Sequence, residues 1–456
     1  MKMKKSIFTA LLTALSTMLL LGACGSTDGA AKSGSGASAK SSAKQISALD
    51  APHGWASYAG TKDLAGKTVT PPDAKTGTKG GAGGTVYTVT NRAELFKAVN
   101  AEGPKVIYVQ GKIEMSDTGR GTMIPETYNG TTPQLDKFIA TKTAKSVLPC
   151  NSYAEWKQKY TASFNYDQDQ FGEVAELRTT LQKSYEAAVV LRLKNDTTII
   201  GLGNDAELRG VAFMLKDVQN IVIRNLILSD CYNPFPKLED SDGLNADLDL
   251  VSIQSSKYVW IDHCTFKQTF TTAEIQSDKY ETKDRRDVFW RVYDGQCDIT
   301  KASDFVTISW NHFSHGDKTM LIGNSDKNTS DINHQTITVD HNWYDGCKQR
   351  LPFVRFATIH LYNNLYTDQQ GSGIDRRKDC RIYSEANSFE EAKRSVTPNR
   401  NGVLFDIGSL NIEPSAVDAK SEWKPSDYYK YSVDKAAKVK DIVSKGCGAG
   451  KLTVIQ

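Results

Sequence analysis

Both the fold and the chemistry can be inferred from residues 293–323, YDGQCDITKASDFVTISWNHFSHGDKTMLIG. Asp294 and Asp298 lie four residues apart and precede an apolar, strand-like segment at residues 305–310. Lys318 follows in a His-Gly-Asp-Lys turn. Two carboxylates, a strand and a lysine in this order indicate a metal ion and an anionic ligand held side by side on a sheet.

A repeated pattern surrounds this stretch: an apolar strand, then a small polar residue, then an aromatic or aliphatic one. Its copies lie at residues 198–201, 221–226, 259–266, 306–313, 338–344, 359–366 and 382–389. The terminal rings of the later copies are Phe266, Phe313, Tyr344, Tyr366 and Phe389, and the shortest separation is 22 residues, between Tyr344 and Tyr366. That length suits one solenoid coil of three short strands, and the longer separations suit coils with loop insertions.

Asparagine stands two residues before the ring in four of these copies, at Asn311, Asn342, Asn364 and Asn387. Such an asparagine can bond to its counterpart in the next coil, so these residues predict a structural ladder. Helix-period segments are missing between the copies, although a βαβ fold would need them. The predicted fold class is therefore all-β, a right-handed parallel β-helix (a solenoid).

Two helical additions to the solenoid are predicted. Asn91 and Glu94 form a capping box ahead of an apolar helical face, so an N-terminal capping helix covers the open end of the sheets. The character of the sequence changes over residues 116–191, and residues 153–186 within them are rich in Gln, Glu, Lys and Tyr, with helix-like spacing in places. We interpret this segment as a helical or loop insertion.

The N-terminus has the pattern of a targeting segment. Three lysines within the first five residues precede an apolar run at residues 7–21, which ends in the sequence LGAC at 21–24. This ending resembles the bacterial lipobox, so residues 1–24 are predicted to be a lipoprotein signal peptide whose Cys24 is lipidated. A flexible Ser/Gly/Ala/Lys linker is predicted at 25–48 and one folded domain at 49–456. We expect an exported protein, lipid-anchored at the bacterial cell surface or membrane, or secreted.

Composition excludes several classes of protein. The net charge is only +3, with 24% charged and 39% hydrophobic residues, which is ordinary for a globular protein and argues against broad capture of nucleic acid. Seven cysteines remain besides Cys24, with no CxxC pair to indicate zinc. Buried thiols are favoured, and a disulfide or two stays open.

Four acids are candidate ligands of one metal ion. Asp247 and Asp249 alternate, so both point to one face of an extended segment, and Asp294 and Asp298 flank a bend before a strand. Calcium takes six to eight oxygens in irregular geometry, whereas zinc would want histidine or thiolate ligands. Acids that merely solvate turns are the structural alternative. Beside the cations Lys318, Arg350 and Arg355, the acids favour Ca2+ as cofactor.

The candidate cations are Lys318, Arg350 and Arg355. Arginine suits bidentate recognition of a carboxylate. Three cations beside a divalent ion make sense when the ligand is itself anionic, and a solvated basic face is the structural alternative. We expect an acidic polysaccharide as the partner.

Several of these motifs occur in the order and spacing of a known family. They are GGAGG at 80–84, VWIDH at 259–263, DGxxDI at 294–299, DK at 317–318 and RLPxxR at 350–355. In these the chain resembles the pectate lyases of polysaccharide lyase family one, over residues 54–451 apart from the insertion. It departs from that family in Gln296-Cys297, where an apolar pair is usual, and in the insertion.

The resemblance implies a right-handed parallel β-helix and a role for each candidate residue. Asp249, Asp294 and Asp298 fall on calcium ligands, and Asp247 on a position that is Asp or Glu in relatives. Arg350 falls on the base, and Lys318 and Arg355 on residues that bind substrate carboxylates. The implied activity is calcium-dependent cleavage of α-1,4-linked polygalacturonate (pectate) by β-elimination, which gives 4,5-unsaturated oligogalacturonides.

Other functions remain open at this stage. Asp294 and Asp298 could serve a polygalacturonase-type β-helix hydrolase, which uses paired carboxylates. A pectin lyase acting on methylated pectin is a nearer alternative, and an inactive surface glycan-binding protein is a third. We expect a monomer that binds no nucleic acid and contacts the membrane only through its N-terminal lipid.

Overall fold

The computed structural model describes residues 44–47, 51–164, 172–239, 243–283, 287–398 and 401–455. The predicted signal peptide and nearly all of the predicted linker lie outside these residues. Six α-helices occur in the described ranges: α1 Arg92–Asn100, α2 Pro133–Thr143, α3 Tyr153–Ser163, α4 Glu173–Val189, α5 Thr272–Ile275 and α6 Ala436–Gly446. None of the helices in this part of the chain is long and apolar enough to cross a membrane.

Strands dominate the described chain. They are β1 Lys44–Ser47, β2 Thr85–Val89, β3 Lys105–Glu114, β4 Val190–Arg192, β5 Thr197–Arg209, β6 Ala212–Lys216, β7 Gln219–Arg224, β8 Ile227–Ser229, β9 Lys237–Glu239, β10 Gly243–Asn245, β11 Val251–Gln254, β12 Lys257–Asp262, β13 Thr265–Lys267, β14 Lys279–Glu281, β15 Asp287–Phe289, β16 Cys297–Thr300, β17 Asp304–Ser309, β18 His312–Ser314, β19 Leu321–Ile322, β20 Thr336–Asp340, β21 Trp343–Asp345, β22 Phe353–Val354, β23 Thr358–Tyr362, β24 Leu365–Thr367, β25 Asp375–Arg376, β26 Arg381–Glu385, β27 Ser388–Glu390, β28 Val403–Ile407 and β29 Leu452–Ile455.

These strands stack into parallel sheets. One sheet has the order β25-β22-β19-β16-β11-β6-β4, so successive coils add one strand each. The larger sheet holds two parallel ladders, β5-β7-β12-β17-β20-β23-β26-β28 and β8-β13-β18-β21-β24-β27, joined through β5. Each coil therefore contributes one strand to each of three faces. The predicted right-handed parallel β-helix is confirmed.

A sharp corner between the two ladders of the larger sheet explains the small polar residues of the repeat. One residue per coil has a left-handed backbone there, with φ of 50° at His263, 54° at Trp310 and 51° at His341. Asparagine follows Trp310 and His341 and bonds along the stack: the backbone N–H of Asn311 donates to Asn342 Oδ1 at 2.9 Å, and that of Asn342 donates to Asn364 Oδ1 at 3.1 Å. The predicted ladder is present, and it satisfies backbone groups that a tight corner would otherwise leave buried and unpaired.

The predicted rings form the spine of the core. Phe266 stacks on Phe313 with centroids 4.5 Å apart, and the series continues through Tyr344 and Tyr366 to Phe389 at 5.1, 4.9 and 4.3 Å. All five are buried. Offset ring stacks of this kind add to the stabilisation from area burial.

The helical additions occur where they were predicted. Helix α1 begins after Asn91, whose side chain accepts from the Glu94 backbone N–H, and its buried Leu95 and Val99 join the core. Helices α2, α3 and α4 lie within the segment interpreted as an insertion. The seven cysteines from Cys150 to Cys447 are buried free thiols, so the described residues contain no disulfide.

Candidate active site

The candidate site lies where successive coils enter the sheet that contains β11, β16, β19 and β22. Gly295, Lys318 and Gln349 pair in parallel from coil to coil. The N–H of Leu250 donates to the Gly295 carbonyl at 3.1 Å, which brings Asp249 into the same row. The row therefore presents acids on two coils and then cations on the next two, since Arg350 follows Gln349.

Two of the acids converge on Gly295. Its N–H donates to Asp249 Oδ1 at 2.9 Å. A Cβ on Gly295 would lie 2.5 Å from Asp298 Oδ1 and 2.6 Å from Asp249 Oδ1. The absence of a side chain here is thus what allows the two carboxylates to face each other. Asp298 is oriented by a further bond, which its Oδ1 accepts from the Leu321 N–H at 3.0 Å.

The electrostatics of these acids favour a cation between them. Burial raises the pKa of Asp249 well above its usual value, and the Asp298 and Asp294 carboxylates raise it further. Burial also raises the pKa of Asp298, although the Arg350 guanidinium opposes the rise. Both carboxylates are thus short of nearby positive charge, which a bound divalent cation would supply.

Lys318 pairs directly with one of the acids, Asp294. Its side chain is only 5% exposed, and its ammonium donates to Asp294 Oδ1 at 3.0 Å and to the side-chain oxygen of Asn245. Burial of a lysine is tolerated when its charge is paired in this way. Lys318 therefore links the acidic row to the extended segment that leads to Asp249.

The two predicted arginines frame an aromatic ring. The guanidinium carbon of Arg355 lies 4.3 Å from the Phe353 ring centroid and that of Arg350 lies 6.0 Å away. Arg355 also donates to the Gly323 carbonyl at 2.7 Å and pairs with Asp326. Burial lowers the pKa of Arg355, and the charge of Arg350 adds to that effect. The two cations thus lie close together, and Arg350 is close enough to Asp298 to lower its pKa.

Asp247 differs from the other predicted acids. Its carboxylate pairs with Arg178 of α4, and its side chain is 30% exposed. Asp249, Asp294 and Asp298 thus form one group with Lys318 and Arg350, and Asp247 lies at the margin of that group against the insertion.

The donor set fits a hard divalent cation. The grouped acids offer carboxylate oxygens only, on backbone segments of irregular geometry, which suits calcium better than zinc. Among the described residues, Asp63, Asp304 and His334 are the group of three whose ligand atoms all lie within 4.8 Å of one another, whereas Asp249, Asp294 and Asp298 are not that close together. There Asp304 Oδ1 already accepts from the Thr336 and Phe305 N–H groups, so a structural role accounts for it.

A parallel β-helix with acids and cations in one row is typical of enzymes that act on anionic polymers. Comparison of the chain with known protein families identifies the family. A pectate lyase family model matches residues 142–452. A pectate lyase of Bacillus subtilis (strain 168) is 32% identical over 409 residues, which cover 83% of this chain and 90% of that protein. The chain therefore belongs to the pectate lyase family.

Solved structures support the same assignment. The pectate lyase from Acidovorax avenae subsp citrulli has a TM-score of 0.74 at 25% identity, and the match covers 93% of this chain and 100% of that chain. A pectate lyase bound to a hexasaccharide has a TM-score of 0.67 at 28% identity, with 89% and 98% covered.

Sequence reasoning missed three residues that hold the predicted ones. Asn245, which binds Lys318, continues the alternation of Asp247 and Asp249, and that spacing could have revealed it. Asp326, which pairs with Arg355, lies in a loop without a distinguishing pattern. Arg178 lies in the insertion, where no motif points to it.

Proposed function

We propose that this protein is a calcium-dependent pectate lyase that cleaves α-1,4-linked polygalacturonate by β-elimination. The observation that supports this most directly is the row of Asp249, Asp294 and Asp298 on adjacent coils beside Lys318 and Arg350. These three acids would hold Ca2+. When bound, the ion would withdraw charge from a uronate carboxylate and acidify the proton at C5.

The cations would serve the substrate. Lys318 and Arg355 would bind uronate carboxylates and stabilise the negative charge that develops as the C5 proton leaves. Because Lys318 is already held by Asp294 and Asn245, its ammonium is positioned before substrate arrives. Preorganised charge of this kind costs no rearrangement during the reaction.

Arg350 is the proposed base. It would take the C5 proton, the electron pair would form the C4–C5 double bond, and the glycosidic oxygen at C4 would leave. A guanidine accepts a proton only in its neutral form, so we expect an alkaline working pH. Arg350→Lys should abolish turnover, and the matched change Arg120→Lys, at an exposed arginine, should not. An Arg350→Lys enzyme with intact turnover would remove Arg350 from this role.

The test of the function is an assay on polygalacturonate. The unsaturated product absorbs in the ultraviolet, so absorbance should rise with calcium, stop after addition of a chelator and resume when calcium is restored. New reducing ends without absorbance would indicate the hydrolase instead. Preference for methylated pectin together with insensitivity to chelator would indicate a pectin lyase.

The proposed location rests on the sequence alone. The LGAC ending of the apolar run supports lipidation of Cys24 and export to the cell surface. Radiolabelled fatty acid should enter the parent protein and not Cys24→Ser, which should appear in the medium. Equal labelling of both proteins would refute the anchor.

A further inference from the structure

The insertion contacts both segments that carry the acids of the site. Tyr153 of α3 accepts through its hydroxyl from the Trp290 indole N–H at 2.8 Å, and Lys157 pairs with Asp278 at 3.0 Å. Trp290 and Asp278 belong to the loop that leads to Asp294. Helix α4 reaches the other acid-bearing segment through Arg178. The three helices are thus fixed to the walls of the site and are more than a surface addition.

Arg178 is a buried member of this set of contacts. Its side chain is only 6% exposed. Nε donates to the Phe235 carbonyl at 2.7 Å, and a terminal nitrogen donates to Asp247 Oδ2. The Phe235 ring packs in turn against Trp156 of α3 with centroids 5.9 Å apart. The guanidinium is therefore held by packing on one side and presented to Asp247 on the other.

Asp247 is close to the site without belonging to its central group. Alternate residues of an extended segment face the same side and lie about 7 Å apart, so Asp247 and Asp249 are neighbours. The Asp249 carboxylate accepts from Gly295 inside the site, whereas the Asp247 carboxylate pairs with Arg178. Arg178 of the insertion is thus paired with Asp247, whose carboxylate could otherwise face a bound metal ion.

We propose that Arg178 is a positioning residue that keeps Asp247 out of the calcium-ligand set and thereby limits calcium affinity. This inference rests on the proposed calcium dependence. Its physical basis is charge: calcium affinity in proteins rises with the number of carboxylates at the site. Removing Arg178 takes one positive charge away from the neighbourhood and releases one carboxylate toward it.

The experiment is calcium titration of the full chain by calorimetry after removal of metal. Arg178→Met, which keeps the length of the side chain without its charge, should bind calcium about tenfold more tightly than the parent. Arg178→Lys, which keeps the charge, should bind like the parent. Arg178→Met combined with Asp247→Asn should lose the gain, because the released carboxylate is then absent. If the role of Arg178 were purely structural, its replacement by methionine would not raise the calcium affinity.

Thermal unfolding in chelator shows whether each variant is folded, and Arg178→Gln, which retains a donor for the Phe235 carbonyl, replaces Arg178→Met if the latter unfolds. Unchanged or weaker calcium binding by the folded, charge-free variant overturns the inference, because Arg178 would then be neutral or would hold Asp247 as a ligand. A parent protein that binds no calcium overturns the proposed function as well, so the two failures are distinguishable.

Discussion

Gly295→Ala should disable the calcium site while leaving every charged residue in place. Gly295 does not have a left-handed backbone, so alanine is compatible with its conformation. The new Cβ would lie 2.5 Å from Asp298 Oδ1 and 2.6 Å from Asp249 Oδ1. Ordinary contact with a Cβ begins at 3.4 Å. The oxygens would therefore retreat by about 0.8 Å (Asp249) and 0.9 Å (Asp298), more than the roughly 0.3 Å over which calcium–oxygen distances vary.

We expect calcium affinity to fall by about 10- to 100-fold, the range found when the surroundings of metal ligands are disturbed. Calorimetric titration measures this directly, and turnover of polygalacturonate at saturating calcium shows how much activity can be recovered. The matched control is Gly316→Ala on the next coil. Its Cβ would lie 2.6 Å from Gln296 Oε1, a clash of equal size that spares the carboxylates.

The control should lose stability and keep its calcium affinity. If Gly295→Ala binds calcium as tightly as the parent, the acids around Gly295 are not the metal site and the reasoning fails. If both variants lose calcium to the same degree, the effect is general packing and the specific role of Gly295 is refuted.

Three further predictions concern the ladder, a buried acid and Lys318. Asn342→Ala should lower the free energy of unfolding by about 2–4 kcal/mol in urea, because it leaves the buried Asn311 N–H unpaired, and Asn100→Ala, at an exposed position of α1, should cost much less. Burial would raise the pKa of Asp340, but His53 and His341 outweigh burial and lower it to about 2. This stabilisation, about 2 kcal/mol, is present near pH 5 and is lost as the pH falls toward 2, so Asp340→Asn should unfold more easily than the parent at pH 5 and converge with it at pH 2; a constant difference would contradict this. Asn245→Ala should lower kcat/KM about tenfold with little change in Tm, since it frees the Lys318 ammonium. A large fall in Tm together with the loss of kcat/KM would indicate a structural role for Asn245.

The solenoid could be predicted from the sequence because the same residue pattern recurs in successive coils of a repeating fold. Four coils repeat both a ring in the spine and an asparagine at the corner, so Tyr344 and Asn342 have counterparts in Tyr366 and Asn364 on the next coil. The grouping of Asp249 with Asp298 was also predictable, through the family motifs. The physical reason is that residues at equivalent coil positions become neighbours in space.

Contacts between segments without a repeat could not be predicted. Arg178 meets Asp247 only because α4 packs over the Phe235 loop, and no periodicity connects those positions. Asp326 likewise meets Arg355 across a loop. Such pairs depend on where an insertion or a loop folds back, which the local pattern does not encode. Their roles emerge only from the three-dimensional arrangement.

The left-handed corner also determines where this protein can vary in length. The corner is constant in length, since two residues join β12 to β13, β17 to β18, β20 to β21, β23 to β24 and β26 to β27. The opposite side is permissive: 29 residues separate β13 from β16, whereas six separate β18 from β19. Loop length therefore varies on that side of an unchanged frame, but the 29-residue loop and the insertion bond to each other through Trp290 and Tyr153, so a loop swap between homologues would have to exchange both together.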